Sequence, residues 1–283
     1  MAATSTATAS QQPLKPTTET KPKRLPAEES FIIRPARLSD LRTLAILHEG
    51  ATSDTFVTNF LTPRAHTYPE DQIRIHLQSI QKRYVNPASI SLVACCKANP
   101  DILVGYSQSV RVGSEQGVRA VVHEKGVTGR VWLWVLGWVF WCWHALSNWV
   151  WKDRVSDFQR VKLFGGYVAA DRLKYWSNPA WQDRWILTCM LVGKEWQRKG
   201  IASLLLKDVC ERSEREGVVI GVSSSPHGEY LYRKVGFELM GDFGVRLEGE
   251  EDLRGGIMIR YPERWEGKRH EKYVGYFDLH KGE

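Results

Sequence analysis

The 283-residue sequence is poor in cysteine: it has five, an odd number, and none of them forms a CxxC pair. Cys95 adjoins Cys96, while Cys142, Cys189 and Cys210 are scattered. That spacing supplies neither a disulfide framework nor a tetrahedral metal set, and it points to a reducing compartment, the cytoplasm first. The phosphate-binding patterns GxxxxGK[ST] and GxGxxG are both absent, which excludes a Walker loop and a Rossmann fingerprint. No internal repeat is visible. From Met1 to about Ser30 there are almost no large apolar side chains. This predicts a disordered tail over residues 1–30, without a secretory core, and Glu19, Glu28 and Glu29 argue against a mitochondrial presequence. "KPKR" at Lys21–Arg24 reads as a solvated basic run, with a nuclear address as the alternative. The net charge of +7, from 39 basic and 32 acidic residues, favours anionic partners only mildly. Aromatic residues cluster in an uncharged stretch and do not alternate with cations, so no nucleic-acid partner is expected.

The remaining composition, 43% hydrophobic and 25% charged, can build an ordinary core. Phe31–Arg34 is a short strand. Ser39 or Asp40 can cap a helix with Leu41, Leu44, Ala45 and His48 along one face. A second helix is predicted from about Glu70 to Arg83. "SISLVACCK" and "ILVGYSQSVRV" read as strands joined by a hairpin at Lys97–Asp101. "RWILTCMLVG" is a further strand. Ile201, Leu204, Leu205 and Val209 recur at helical spacing up to a stop at Gly217. "VVIGVS", a short helix near Glu229–Lys234, "GFELMGDFGVRL" and "GIMIRY" complete the series. Strands and helices are mixed and several strands read as hairpins, so the expected class is α+β around a mixed, largely antiparallel sheet.

"EWQRKGIA", Glu195–Ala202, gathers Arg198 and Lys199 before Gly200, where a strand gives way to a helix. A helix start exposes unpaired N–H groups and a partial positive charge, and glycine lets a ligand approach the backbone. The unit reads either as a pyrophosphate site or as a surface helix start with two solvated cations.

Three separated blocks then resemble the GNAT superfamily of acyl-CoA-dependent N-acyltransferases. Gln197, Gly200 and Ala202 fit its (Gln/Arg)-x-x-Gly-x-(Gly/Ala) signature. "FIIRPARLSDL" is similar to the family's first strand and helix. "SSSPHGEYLYRKVGFE" is similar to its late strand, short helix and LYxKxGF ending, through Leu231, Tyr232, Lys234, Gly236 and Phe237. The likeness covers Phe31–Val112 and Trp185–Tyr261. It implies one domain over residues 31–283, with helices on both faces of a sheet that splays between two strands. It implies acetyl-CoA, or another acyl-CoA, as co-substrate, with no metal. The pyrophosphate would rest on the amides of Arg198, Lys199, Gly200, Ile201 and Ala202, beside Gln197. The pantetheine arm would pair with backbone groups of Met190, Leu191 and Val192 in the splay. Ser225 stands where many members have asparagine, at an expected cofactor contact.

The implied chemistry is direct attack by a neutral amine on the thioester, with both substrates bound together. A backbone N–H near Leu191–Val192 would polarise the carbonyl oxygen. Tyr232 would protonate the departing thiolate. No carboxylate lies on the strand "WILTCMLVG". His227, in the loop after the next strand, is the candidate base, with Asp183 and a water relay as alternatives. The acceptor would be a small-molecule or peptide amine, and the oligomeric state is left open. A non-catalytic acyl-CoA-binding or membrane-associated regulatory protein is the alternative function.

The insertion at about 113–183 lies outside the resemblance. Within it, Val131–Trp151 runs 21 residues without a formal charge and holds seven of the twelve tryptophans. Three readings stay open: a helix packed on the domain or over the acceptor groove, an interfacial helix touching a membrane surface, and a true span.

Overall fold

The computed structural model describes residues 30–244 and 255–275. The predicted tail lies outside these residues, apart from Ser30, and so does the end of "GFELMGDFGVRL". Among the described residues seven strands form one sheet: β1 (Phe31–Pro35), β2 (Ser89–Cys96), β3 (Leu103–Val112), β4 (Arg184–Val192), β5 (Val219–Ser224), β6 (Glu238–Asp242) and β7 (Gly256–Arg260). Their order is β1-β2-β3-β4-β5-β7-β6. Every neighbouring pair is antiparallel except β4 and β5. The sheet is therefore mixed and largely antiparallel, as expected.

The hairpin between β2 and β3 turns on Asn99, whose side chain accepts the Asp101 N–H at 3.1 Å. Helix α1 (Leu41–Thr52) buries Leu41, Leu44 and Ala45. Asp40 precedes it but does not cap it forward: its carboxylate accepts the Arg37 N–H at 2.7 Å and pairs with Arg34. A short helix α2 (Phe56–Leu61), not expected from the sequence, starts with Thr55 accepting the Thr58 N–H. Helix α3 (Pro69–Tyr84) begins with proline and carries Glu70 and Asp71 in its first turn and Lys82 and Arg83 in its last. Both charge placements suit the helix dipole.

The insertion between β3 and β4 contains α4 (Glu115–Glu124), α5 (Gly126–Val150) and α6 (Phe158–Trp176). It is knitted into the domain on several sides. Val121 of α4 joins the core formed by Trp185, Leu187 and the later helix α7 (Ile201–Glu216). Leu136 and Phe140 of α5 join the core beneath α1 and α3. The chain changes face at Lys125, whose Nζ donates to the Ser89 carbonyl at 2.6 Å. Tyr175 and Trp176 at the end of α6 reach β6 and β5, where a Cβ on Gly241 or Gly221 would collide with them. Arg111 and Asp183 pin the two ends of the insertion together. Arg111 pairs with Asp183 and with Glu216, and Asp183 accepts the Ser114 N–H at 3.0 Å and its hydroxyl at 2.8 Å.

Helix α8 (Pro226–Lys234) completes the fold. It begins three residues before the predicted Glu229, because Ser225 caps it and Pro226 occupies its first position. Both faces of the sheet are covered, by α1, α3 and α5 on one side and by α7 and α8 on the other.

Candidate active site

β4 and β5 pair only from Arg184/Val219 to Leu187/Val222. Beyond that point β4 stays bonded to β3 through Met190, Leu191 and Val192, while its other edge has no strand partner among the described residues. A parted parallel pair leaves N–H and C=O groups that must find partners elsewhere. The end of β4 thus offers a backbone edge free of strand pairing among the described residues.

Past the gap the chain turns through a 3₁₀ segment, Lys194–Trp196, into α7. Arg198 has φ of +60° and Gly200 φ of +82°, two left-handed residues within three positions. Gly200 meets this demand without strain; Arg198 does so at a cost. The Gly200 carbonyl accepts the N–H groups of Ser203 and Leu204. The amides of Ile201 and Ala202 are left as orphan donors of the helix start. Gln197 turns back and donates from Nε2 to the Val192 carbonyl at 3.2 Å, tying the loop to the end of β4. Gln197, Arg198, Lys199 and Gly200 are all exposed. Lys199 lies over the Trp196 ring at 4.3 Å. Ile201 is buried beneath the helix start, against Val104 and Val192.

Beside the gap, Tyr232 packs in the core on the α7–α8 side of the sheet and Cys189 against the core on the α1–α3 side. Tyr232 sits in the core with Leu187 and Val222, its ring 5.3 Å from that of Phe237. Burial, and after it the nearby Cys189 sulfur, pushes its phenol well above the ordinary value, so it stays protonated at neutral pH. Tyr230, two residues earlier, points into solvent. His227 is exposed and lies in the first turn of α8, where a loop was expected. The Ser225 hydroxyl caps α8 by accepting the Gly228 N–H at 3.3 Å. Asp183 lies at the paired end of β4, away from the gap, and its carboxylate is already engaged by Arg111 and Ser114.

A half-buried polar chain next to the gap is marked by no local sequence pattern. The Cys189 thiol donates to the Tyr106 oxygen at 3.3 Å, and Tyr106 lies 2.6 Å from His48 Nδ1. His48 stacks on His76 at 4.1 Å, and His76 Nε2 is 3.1 Å from Glu49. Burial first, then His76 and Arg83, lowers His48 to about 3. Burial and Arg83 lower His76 to about 4. A neutral His48 can accept the Tyr106 hydroxyl proton at Nδ1. The sequence signal for this chain was slight: His48 shares the inner face of α1 with Leu41 and Leu44, but nothing local connects it to positions 106 and 189. Among the described residues, no group of three His, Cys, Asp or Glu side chains is arranged to hold a metal ion.

A mixed sheet that opens after Leu187 beside a basic, glycine-led helix start has the architecture of GNAT acetyltransferases. A family model described as an acetyltransferase (GNAT) domain matches residues 167–246, from the second half of α6 to just past β6. A Corynebacterium glutamicum structure described as histone acetyltransferase HPA2 and related acetyltransferase has 14% identity and a TM-score of 0.51, over 82% of this chain and 97% of that one. The Sinorhizobium meliloti phosphinothricin acetyltransferase, solved with AcCoA, has 14% identity and a TM-score of 0.43, over 88% and 97% of the two chains. A mosquito arylalkylamine N-acetyltransferase-like protein has 14% identity and a TM-score of 0.45, over 82% and 100%. Identities this low define a shared fold and go no further. No curated protein matches in sequence.

Proposed function

We propose that the protein is an N-acyltransferase that moves an acetyl or other acyl group from acyl-CoA to a small-molecule or peptide amine in a ternary complex. The observation that carries this reading is the early end of the β4–β5 pairing at Leu187/Val222, with the exposed Gln197–Gly200 turn and the orphan amides of α7 at the same end of β4. Arg198, Lys199 and the amides of Gly200, Ile201 and Ala202 would hold the pyrophosphate. Backbone groups of Met190, Leu191 and Val192 would pair with the pantetheine amides as an added strand would. The co-substrate supplies the activated thioester. An amide near Leu191–Val192 would stabilise the oxyanion that forms on attack. The ternary arrangement converts an encounter in solution into a local reaction.

Tyr232 would donate its proton to the departing thiolate; its raised pKa keeps that proton in place until the thiolate appears. His227 would take the amine proton through solvent, its ring being exposed at the start of α8. Residues 31–283 would then form one catalytic domain, with 113–183 as its insertion.

Titration calorimetry with coenzyme A, followed by thiol release from acetyl-CoA over a panel of amines, tests the reading. Heat with coenzyme A and amine-dependent thiol release are expected. Absence of heat removes the proposal. Tight binding with no transfer to any amine would favour the non-catalytic acyl-CoA-binding alternative.

A further inference from the structure

Helix α5 leaves most of its circumference outside the protein. Leu136, Phe140, His144 and Ser147 face α3, and His144 Nε2 donates to Gln81 Oε1 at 2.7 Å. At about 100° per residue, Trp141 and Val150 lie roughly 180° apart around the axis, and both are exposed. Trp134, Trp138 and Trp149 lie within that arc and are 67%, 54% and 79% exposed. The Trp138 ring packs edge-on against Trp134 at 6.3 Å and Trp141 at 5.7 Å, so the rings form one continuous surface. Phe158 and Leu173 on α6 add exposed apolar area of their own. No acidic residue occurs between Lys125 and Asp153, and the charges within and beside α5, Arg130 and Lys152, are positive.

A soluble domain does not leave a patch of this kind uncovered without a partner. The chain's own segments outside the described residues are poor covers. Residues 1–29 hold almost no large apolar side chains, 245–254 are rich in glutamate, and 276–283 bring only Tyr276, Phe277 and Leu279, too few to cover the whole arc. A second copy of the chain would present a firm surface to one side of the helix, whereas the exposed arc wraps halfway round it. A fluid medium fits such an arc. Tryptophan also favours the boundary between acyl chains and headgroups, where the ring is dry and its N–H meets an acceptor. Among the described residues no helix is long and apolar enough to cross a membrane.

We propose that α5 lies in the plane of an anionic bilayer surface, with its tryptophan arc among the upper acyl chains and Arg130 and Lys152 against lipid phosphates. The contact is independent of acyl transfer and is tested without it. Full-length protein is sedimented with vesicles of phosphatidylcholine alone and of phosphatidylcholine mixed with phosphatidylserine. Co-sedimentation is expected with the mixed vesicles, weakening as salt is raised, and brominated acyl chains should quench tryptophan fluorescence. The triple variant Trp134→Ser, Trp138→Ser, Trp149→Ser should bind about tenfold more weakly or worse. Its melting temperature should be unchanged, since none of the three is in the core. As a second variant, Lys152→Glu should weaken binding to the mixed vesicles alone. The proposal is overturned if the wild type does not sediment with the mixed vesicles, or if the triple variant binds them equally well. It is also overturned if ultracentrifugation reveals a dimer that the triple variant abolishes while vesicles are ignored. In that case a second copy covers the face.

Discussion

Tyr232 shows how burial can suit a side chain to donate a proton. A phenol packed between Leu187, Val222 and Phe237 resists ionisation, so in the proposed reaction it would meet the departing thiolate with its proton still attached. Tyr232→Phe keeps the ring and removes only the hydroxyl. Turnover should fall about 10²-fold, with coenzyme A affinity unchanged by calorimetry; an unaltered turnover would remove Tyr232 from the chemistry. Tyr106 has a different role, since its hydroxyl satisfies the half-buried His48 Nδ1. Tyr106→Phe orphans that nitrogen and should cost about 1–3 kcal/mol in urea unfolding. The histidine pair also sets a pH response. His48 and His76 titrate near 3 and 4 in the fold, against about 6.5 when unfolded. Between those values the unfolded chain binds more protons. Their contribution is therefore complete above about pH 6.5 and declines as pH falls towards 3, by up to about 1.4 kcal/mol per pH unit for each group. Urea midpoints across this window should fall on acidification, and less steeply in His48→Gln.

At the scale of elements, the start of α7 joins backbone shape to the proposed anion site. Gly200 holds a left-handed φ that a branched residue adopts only with strain. Gly200→Val should therefore destabilise by about 1–2 kcal/mol and reduce coenzyme A affinity by more than tenfold. Unchanged affinity would place the pyrophosphate elsewhere. The short α8 teaches a related lesson. Ser225, which the resemblance puts at a cofactor contact in place of asparagine, caps the helix through its hydroxyl. The cap also draws His227 out of the expected loop and into the first turn.

At the scale of the whole molecule, the helices between β3 and β4 share the cores that flank the sheet. Arg111 is buried where β3 leaves the sheet, and it gathers Asp183 and Glu216 from the far end of the insertion and the end of α7. Arg111→Leu leaves two carboxylates facing each other without their cation. The expected loss is about 3 kcal/mol, the low end for a broken buried pair, since Asp183 is partly solvated. A melting temperature within error of wild type would contradict this account.

Local pattern decided the elements that patterning can see. The alternation in "SISLVACC", the turn at Asn99 and the helical recurrence from Ile201 to Val209 each carry their structure in neighbouring residues, because propensity and burial act there over a few positions. The resemblance blocks carried the fold class and the Gln197–Ala202 turn in the same way. The sequence did not reveal the contacts between distant positions. The polar chain from Cys189 through Tyr106 to His48 comes from three separate elements. The exposed side of α5 depends on which face α3 happens to cover, since a helix so apolar on every side does not mark its own buried face. Asp183, a candidate base on sequence, is claimed by an arginine some seventy residues away. Short-range pattern fixed the pieces, and only packing decided which polar groups meet and which apolar face is left for a partner.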